Sequence, residues 1–414
     1  MNLSHNPAPA EVMHIDLNSA FAMTEQQANP LLRHRPVGVT NRLSDYSICI
    51  AASYEAKSLG IGVGTRNGDA KRSSSKFVML EADPAKYQYV HSRLRAMFSE
   101  YAPLSYMKSI DEGIIDFRGM RGMLKGRALE DIAIEIKQRI RDEIGDYMTV
   151  NIGIGQNRWT AKLGAGFMKP NGLYTIDASN AEAVYGCLRL EELPYIARKM
   201  RVRLNEQNIY SPLEFYRAPE IQLTRQVFKS INGHHWYLKL RGYETEVEPG
   251  IRTVGRDYVL EYRTSDYVEL ATLLHKAADK VARRLARNNL AARGLHLQLG
   301  YDDEEITGWR ERRMFSSAAR RGDQIYMRAL ELYNESPQQI RVKHLTMTAY
   351  AVEPYRCDQM ALYDDDYTRQ ERIEDAINSV SDKYGERVLM PAAVLASKNE
   401  MKDKIPFGTI RYFE

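Results

Sequence analysis

The segment YMKSIDEGIIDF, residues 106–117, decides how the most informative part of this sequence folds. Its pattern predicts a β-hairpin with Asp111 and Glu112 near the bend. A second predicted strand, VMHI at residues 12–15, ends at Asp16. Carboxylates at strand ends are suited to hold two Mg²⁺ ions, which clamp the attacking and leaving oxygens of a phosphoryl transfer from ~3.5–4 Å apart. The three acidic residues are therefore candidate ligands of a metal site.

The acidic pair in the hairpin also has a simpler interpretation. In a regular strand, residues 111 and 112 would point to opposite faces, so both reach one site only if the backbone bends there, and the neighbouring Gly113 favours such a bend. Adjacent carboxylates repel each other, so at least one pKa should rise in the absence of a cation. Composition alone favours the alternative, a solvated hairpin with an acidic tip.

Around this hairpin, strands alternate with helices up to about residue 176, which favours a mixed α+β domain. Residues 177–243 are predicted to be mostly helical, and residues 246–255 lack periodicity and are predicted to be a linker. Strand–helix–strand patterns return over residues 252–354. The predicted helices are 19–28, 54–59, 84–101, 127–145, 157–166, 267–289, a segment near 317–334, and 368–384.

Bulk composition sets broad limits on function. The chain has 414 residues, of which 44% are hydrophobic and 27% charged, as in an ordinary soluble globular protein. A net charge of +4 does not by itself indicate a nucleic-acid-binding protein. Three scattered cysteines fit neither a disulfide framework nor a zinc site, and the N-terminus lacks the pattern of a signal peptide. We expect a cytoplasmic protein with no membrane partner.

Four segments resemble motifs of the Y-family DNA polymerases, especially the bacterial and phage lesion-bypass members. They follow the family's order and spacing: HIDLNSAFA (14–22), AASYEAKSLGIGVG (51–64), SIDEGIIDF (109–117) and GIGQNRWTAKLGAGFMKPNGLYTI (153–176). The resemblance implies an α+β multidomain, right-hand polymerase. Its parts would be a ferredoxin-like palm (1–18 and 84–176), small fingers (19–83), a helical thumb (177–243), a linker (244–251), a little finger (252–354) and a C-terminal tail (355–414).

The resemblance also implies roles for residues of the acidic site. Asp16, Asp111 and Glu112 match the metal ligands, and Leu17 matches a position whose backbone carbonyl also ligates a metal. The expected cofactor is two Mg²⁺ ions, with Mn²⁺ as a substitute. Asn18 stands where many relatives have a second Asp that is not one of the usual ligands, so the substitution removes one negative charge beside the site.

Four further residues match positions that contact the incoming nucleotide. Phe21 matches an aromatic gate whose ring would clash with a ribose 2′-hydroxyl, although it is also a plausible core residue. Tyr54, Lys57 and Lys169 match triphosphate-binding positions. Lys57 stands where relatives often carry Arg, which grips phosphate bidentately, and a solvated helical lysine is the alternative for it. The glycines of the finger segment, at positions 60, 62 and 64, either leave an open roof over the base pair or form a turn.

DNA contacts are expected in the later domains. The thumb segment 193–209 lacks the glycines of the helix-hairpin-helix of relatives, and basic side chains would replace their phosphate contacts: Arg198, Lys199, Arg201 and Arg203. A predicted little-finger helix has a cluster that is either a phosphate-binding or a solvated face: Lys276, Lys280, Arg283, Arg284 and Arg287.

The segment QMALY at residues 359–363 resembles the pentapeptide that tethers bacterial polymerases to the sliding clamp. Gln359 would occupy a polar subsite, and Met360, Leu362 and Tyr363 would be apolar anchors. A chance match is the alternative, because the motif is short.

The resemblance therefore implies a template-directed polymerase of the lesion-bypass type. It would add dNTPs to the 3′-end of a primer by two-metal-ion phosphoryl transfer, acting as a monomer on primer–template DNA and bound to a sliding clamp. One alternative is a catalytically weak, polymerase-like accessory subunit of a mutagenesis complex. Another is a nucleotide cyclase of the palm fold, which the KPNG segment at 169–172 disfavours.

Overall fold

The structure is a computed structural model. It describes residues 3–120, 122, 124, 126–245, 251–355, 365–384, 388–389, 392–394 and 401. The described residues form two compact units, one up to residue 245 and the other from residue 251 to 401. Among the helices that the structure describes, none combines the length and apolarity needed to cross a membrane.

The first unit contains two sheets and a set of helices. Its strands are β1 (Val12–Leu17), β2 (Val37–Thr40), β3 (Ala51–Ala52), β4 (Val78–Glu81), β5 (Ser105–Met107), β6 (Glu112–Asp116), β7 (Val150–Gly155) and β8 (Leu173–Ile176). Its helices are α1 (Ala20–Ala28), α2 (Tyr54–Ser58), α3 (Asn67–Ser73), α4 (Pro84–Ser99), α5 (Leu129–Glu143), α6 (Arg158–Gly164), α7 (Ala181–Gly186), α8 (Arg198–Asn205), α9 (Pro212–Arg217), α10 (Glu220–Gln222) and α11 (Asn232–Leu240). Short 3₁₀ helices lie at Pro30–Leu32 and Leu190–Glu192, and a π-helical segment lies at Leu223–Val227.

The larger sheet, in the order β5-β6-β1-β7-β8, positions the acidic residues. The central strand β1 pairs antiparallel with both β6 and β7, so that Asp16 lies opposite Glu112 on one side and opposite Asn151 on the other. Five of the six residues of β1 are buried, which explains its nearly continuous apolar sequence. The sheet therefore brings two of the predicted acidic residues to neighbouring positions at one end of its central strands.

Two amphipathic helices and α6 cover this sheet. The predicted apolar faces of α4 and α5 are confirmed, since these residues are all buried: Tyr87, Val90, Leu94, Phe98, Leu129, Ile132, Ile136 and Ile140. Helix α6 packs directly on the backbone of β7, because a Cβ added at Gly153 would lie 2.0 Å from the carbonyl oxygen of Ala161. A glycine at this position is what allows α6 to approach so closely.

The other elements of the first unit follow the predicted pattern in part, since α3 and β4 were not predicted. A three-stranded sheet in the order β3-β2-β4 lies in the segment 37–81, and residues 181–240 are mostly helical as predicted. The helical segment has its own apolar core, in which Trp159 from α6 packs edge-on against Trp236.

The second unit contains β9 (Thr253–Thr264), α12 (Tyr267–Arg287), β10 (Leu290–Tyr301), β11 (Gly308–Ala319), α13 (Gly322–Asn334), β12 (Val342–Pro354), α14 (Asp365–Tyr384) and a 3₁₀ turn at Ala392–Val394. The strand order is β11-β10-β12-β9. The predicted start of a helix near residue 317 is wrong, because residues 308–319 form β11. This strand lies at the sheet edge and is mostly exposed or half-buried, so its sequence lacks the apolar alternation that would have revealed it. The last residues of the predicted linker, 253–255, belong to β9.

Candidate active site

The acidic residues lie together where β1 ends and β6 begins. Asp111 occupies the bend that precedes β6, and its carbonyl oxygen accepts a hydrogen bond of 2.9 Å from the amide of Leu17. The backbone bends at Asp111 as expected, but Gly113 does not produce the bend. Gly113 is part of the regular strand, and a Cβ there would lie 2.5 Å from the ring of Phe98. The turn before β6, rather than a kink within it, takes Asp111 out of strand geometry.

Each carboxylate has a partner of its own. The Lys169 ammonium donates to Asp16, and the Nζ of Lys162 lies 2.6 Å from Glu112. The hydroxyl of Ser109 donates to Asp111 at 2.5 Å. In this arrangement, the His, Cys, Asp and Glu side chains of the described residues form no group of three or more that could hold a metal ion.

The electrostatics of the site fit a cation nonetheless. Burial, together with the charges of Asp16 and Glu112, raises the pKa of Asp111 to about 6, against the effect of the hydrogen bond from Ser109. Burial also raises the pKa of Asp16, against the effect of Lys169. The prediction that at least one carboxyl pKa rises is thus confirmed, although burial contributes more than repulsion between the carboxylates. Three carboxylates provide the hard oxygen donors that Mg²⁺ prefers, and the ammonium groups of Lys169 and Lys162 pair with two of them.

A buried histidine completes the surroundings of Glu112. His14 is 1% exposed, and its Nε2 lies 3.6 Å from a carboxylate oxygen of Glu112. Burial and the nearby Lys162 hold the pKa of His14 well below its ordinary value. The imidazole is therefore neutral at physiological pH and adds no positive charge to the site.

Phe21 lies in the first turn of α1, close after the end of β1. It is 7% exposed, and its ring stacks on Tyr87 with centroids 4.5 Å apart. The hydroxyl of Tyr87 donates to the buried Glu25 at 2.8 Å, and Lys86 also pairs with Glu25. Phe21 is therefore supported on one face by Tyr87 and belongs to the apolar core.

The three predicted triphosphate-binding residues converge beside β1. The Nζ of Lys57 lies 2.7 Å from the hydroxyl of Ser19 and 4.5 Å from the ring centroid of Tyr54. Burial and the charge of Lys169 lower the pKa of Lys57. Two ammonium groups that repel each other in this way are suited to bind a polyanion.

A cluster of one tyrosine and three lysines was not predicted from the sequence. Tyr195 is 54% exposed and has a φ of 71°, a rare conformation for a bulky residue. Three ammonium groups lie 5.6, 5.8 and 5.9 Å from its ring centroid, those of Lys108, Lys162 and Lys239. Because Lys162 also contacts Glu112, this cluster adjoins the acidic site. Its members are far apart in sequence, which is why no motif revealed it.

The basic residues predicted to contact DNA have different surroundings. In α8, Arg198, Lys199 and Arg203 are exposed, and Arg201 forms an ion pair of 2.9 Å with Glu191. In α12, Arg284 is 8% exposed and donates to the carbonyl oxygen of Gly255. Arg284 is therefore not part of an exposed basic face of α12, whether that face binds phosphate or only solvent.

Two remaining predictions concern the finger glycines and the clamp motif. A Cβ at any of the three glycines would meet no atom within 4 Å, and Gly60 and Gly64 have φ values of 76° and 89°. Gly60 and Gly64 are thus turn glycines, and the space around all three finger glycines is open. The predicted clamp-binding segment, residues 359–363, lies outside the described residues.

Comparison with known proteins gives a consistent result. Residues 15–166 match the impB/mucB/samB family, and residues 252–362 match the impB/mucB/samB family C-terminal domain. DNA polymerase IV of Pelotomaculum thermopropionicum is 26% identical over 95% of this chain and 97% of its own length. DNA polymerase IV 1 of Bacillus subtilis is 28% identical over 95% of each chain.

Solved structures of low sequence identity share the fold. A Y-family DNA polymerase chimera has a TM-score of 0.69 at 22% identity, covering 82% of this chain and 98% of its own. DinB from Sulfolobus solfataricus has a TM-score of 0.57 at 22% identity, covering 83% and 99%. The predicted fold class, a right-hand polymerase with palm, fingers, thumb and little finger, is thus confirmed.

Proposed function

The chain belongs to the impB/mucB/samB family and is a Y-family DNA polymerase of the lesion-bypass type, and from this premise we propose that Asp16, Asp111 and Glu112 form its metal-binding centre. Y-family polymerases generally depend on divalent metal ions. The observation that carries the proposal is the register of β1 and β6, which sets Asp16 opposite Glu112 and leaves Asp111 at the adjoining bend.

The proposed cofactor is a pair of Mg²⁺ ions, with Mn²⁺ as a substitute, held by the three carboxylates and the backbone carbonyl of Leu17. When bound, such ions neutralise charge on the attacking and leaving oxygens of the phosphoryl transfer. Lys169 and Lys162 pair with Asp16 and Glu112, so a cation held by these carboxylates would compete with both ion pairs. Lys169 would then be available to contact the triphosphate.

The nucleotide site follows from the same geometry. Lys57, Tyr54 and Lys169 bind the triphosphate of the incoming dNTP, and the two lysines supply mobile positive charge. Phe21 excludes ribonucleotides by filling the space that a 2′-hydroxyl would need. Tyr87, which stacks on the far face of the ring, prevents it from yielding.

The DNA substrate is primer–template. The cluster around Tyr195 adjoins Glu112 and presents an exposed ring with three ammonium groups, a combination suited to the phosphates and sugars of the primer strand. The protein acts as a monomer in the cytoplasm, tethered to the sliding clamp through Gln359, Met360, Leu362 and Tyr363. Loss of clamp pull-down in a Gln359→Ala/Leu362→Ala variant supports this tether, and retention contradicts it.

A primer-extension assay tests the active site. Wild-type protein with Mg²⁺ should incorporate dNTPs opposite a template base, and Asp111→Ala/Glu112→Ala should abolish incorporation. The matched control is Glu304→Ala/Glu305→Ala, an exposed acidic pair in the loop between β10 and β11, which should leave incorporation unchanged. Full activity of the Asp111/Glu112 variant would refute the assignment, and an inactive wild type would favour the accessory-subunit alternative.

A further inference from the structure

Asn18 follows β1 directly and is the centre of a buried hydrogen-bond network. Its side chain is 1% exposed. Its Nδ2 donates to the Oδ1 of Asn151 at 3.0 Å and to the hydroxyl of Tyr54 at 3.4 Å. Its Oδ1 accepts from the hydroxyl of Thr149 at 3.0 Å and from the amide of Asn171 at 2.9 Å. Both ends of the amide are thus in use.

Asn151 extends this network to the turn that carries Lys169. Asn151 is 0% exposed, its Nδ2 donates to the carbonyl oxygen of Phe167 at 2.7 Å, and its Oδ1 accepts from the amide of Gly172 at 3.0 Å. The two asparagines therefore hold the turn 167–172 at both ends.

The turn depends on such external contacts. Met168 and Asn171 have φ values of 55° and 61°, conformations that non-glycine residues adopt at a cost in free energy. Conformations of this kind persist only when surrounding contacts specify them. The hydrogen bonds from Asn18 and Asn151 supply contacts of this kind, and Lys169, at the centre of the turn, is thereby kept beside Asp16.

The network specifies an amide at position 18. The Asn151 amide can have only one orientation, because a carbonyl oxygen must face its Nδ2 and an N–H must face its Oδ1. Position 18 must then present a donor to Asn151. An ionised aspartate would instead place a carboxylate oxygen against the Oδ1 of Asn151 in a buried site, so the hydrogen bond between the two side chains would be lost and two acceptors would repel each other.

We propose that Asn18 is a positioning residue which, together with Asn151, fixes Lys169 and Tyr54 in the arrangement that binds the dNTP triphosphate. This inference rests on the proposed triphosphate role of Lys169. It also explains the neutral residue at position 18: the asparagine is required by its partner on β7, and does not mark a weakened metal site.

Steady-state kinetics of Asn18→Asp provide the test. The KM for dNTP should rise about tenfold or more, since two buried acceptors would face each other. The Kd for primer–template DNA should stay unchanged. The matched control is Asn157→Asp, a buried asparagine beyond the other end of β7 whose Nδ2 donates to the carbonyl oxygens of Lys239 and Tyr243. That change should lower the thermal stability without raising the KM for dNTP.

A double-mutant cycle separates positioning from general damage. If Asn18 acts through Lys169, Asn18→Asp should add little to the KM of a Lys169→Ala variant. A purely structural role would make the two effects multiply, which would overturn the proposal. If Asn18→Asp does not fold, Thr149→Val removes one donor to the Asn18 amide and should raise the KM about fivefold.

The outcomes distinguish this inference from the function on which it rests. An unchanged KM for dNTP in Lys169→Ala would refute the triphosphate role of Lys169, and with it the premise. A raised KM in Lys169→Ala together with an unchanged KM in both Asn18→Asp and Thr149→Val would refute the positioning role of Asn18 alone.

Discussion

Replacing Phe21 by leucine should weaken the selection of deoxynucleotides while the protein stays folded. Phe21→Ala should also admit ribonucleotides. However, the ring is 7% exposed and stacks on Tyr87, so its removal would leave a cavity that lowers the unfolding free energy by ~3–5 kcal/mol. Leucine keeps most of the volume. Its expected cost is the lost ring stacking, ~0.5–1.5 kcal/mol, and a change of shape of up to ~1.5 kcal/mol.

The assay compares kcat/KM for a dNTP and its matching rNTP on the same primer–template. The ratio should fall at least tenfold in Phe21→Leu, which corresponds to ~1.4 kcal/mol of lost discrimination. Phe117→Leu is the control, because Phe117 is 0% exposed and belongs to the same apolar core. It should lower the unfolding free energy without changing the ratio. An unchanged ratio in Phe21→Leu would refute the gate, and an equal fall in both variants would attribute the effect to core packing.

Three further predictions follow from the site and its supports. Burial raises the pKa of Asp111 from 3.8 to about 6, so the folded state binds the proton of this carboxyl group more tightly than the unfolded state does. The unfolding free energy of the metal-free protein, measured by urea denaturation, should therefore fall by up to ~3 kcal/mol as the pH rises from ~4 to ~6. The same profile should be flatter in Asp111→Asn. Gly153→Ala should lower the unfolding free energy by at least ~1–3 kcal/mol, because α6 cannot accommodate the methyl group; no change would refute this packing. Tyr195→Ala should raise the Kd for primer–template, measured by fluorescence anisotropy, more than Tyr210→Ala does in the same helical segment.

Much of the fold could be predicted because local patterns determine it. The apolar spacing of α4 and α5 and the buried run of β1 appear directly in the sequence, and the structure confirms them. Strand β11 was missed because edge strands carry charged residues on both faces and so lack an apolar face. The bend near Asp111 agrees with the sequence prediction, but Gly113 does not produce it. A glycine is needed at position 113 because a larger side chain would collide with the ring of Phe98.

The network around the candidate site could not be predicted from patterns. The contact of Lys162 with Glu112 and the pairing of Asn18 with Asn151 join residues on different elements, and their partners depend on the register of β1 and β7. A sequence motif indicates which residues are present, whereas hydrogen-bond direction requires coordinates. From the sequence alone, Asn18 therefore indicates only the loss of a negative charge, because its hydrogen-bond partners are visible only in the structure.

Counting bound metal decides whether Asp16, Asp111 and Glu112 hold two divalent ions. Mn²⁺ can be titrated into wild-type protein with primer–template and a non-hydrolysable dNTP analogue, with free Mn²⁺ measured by electron paramagnetic resonance. About two ions should bind per wild-type complex, and clearly fewer should bind in Asp111→Asn/Glu112→Gln. Equal numbers of bound ions in the two proteins would contradict this metal assignment.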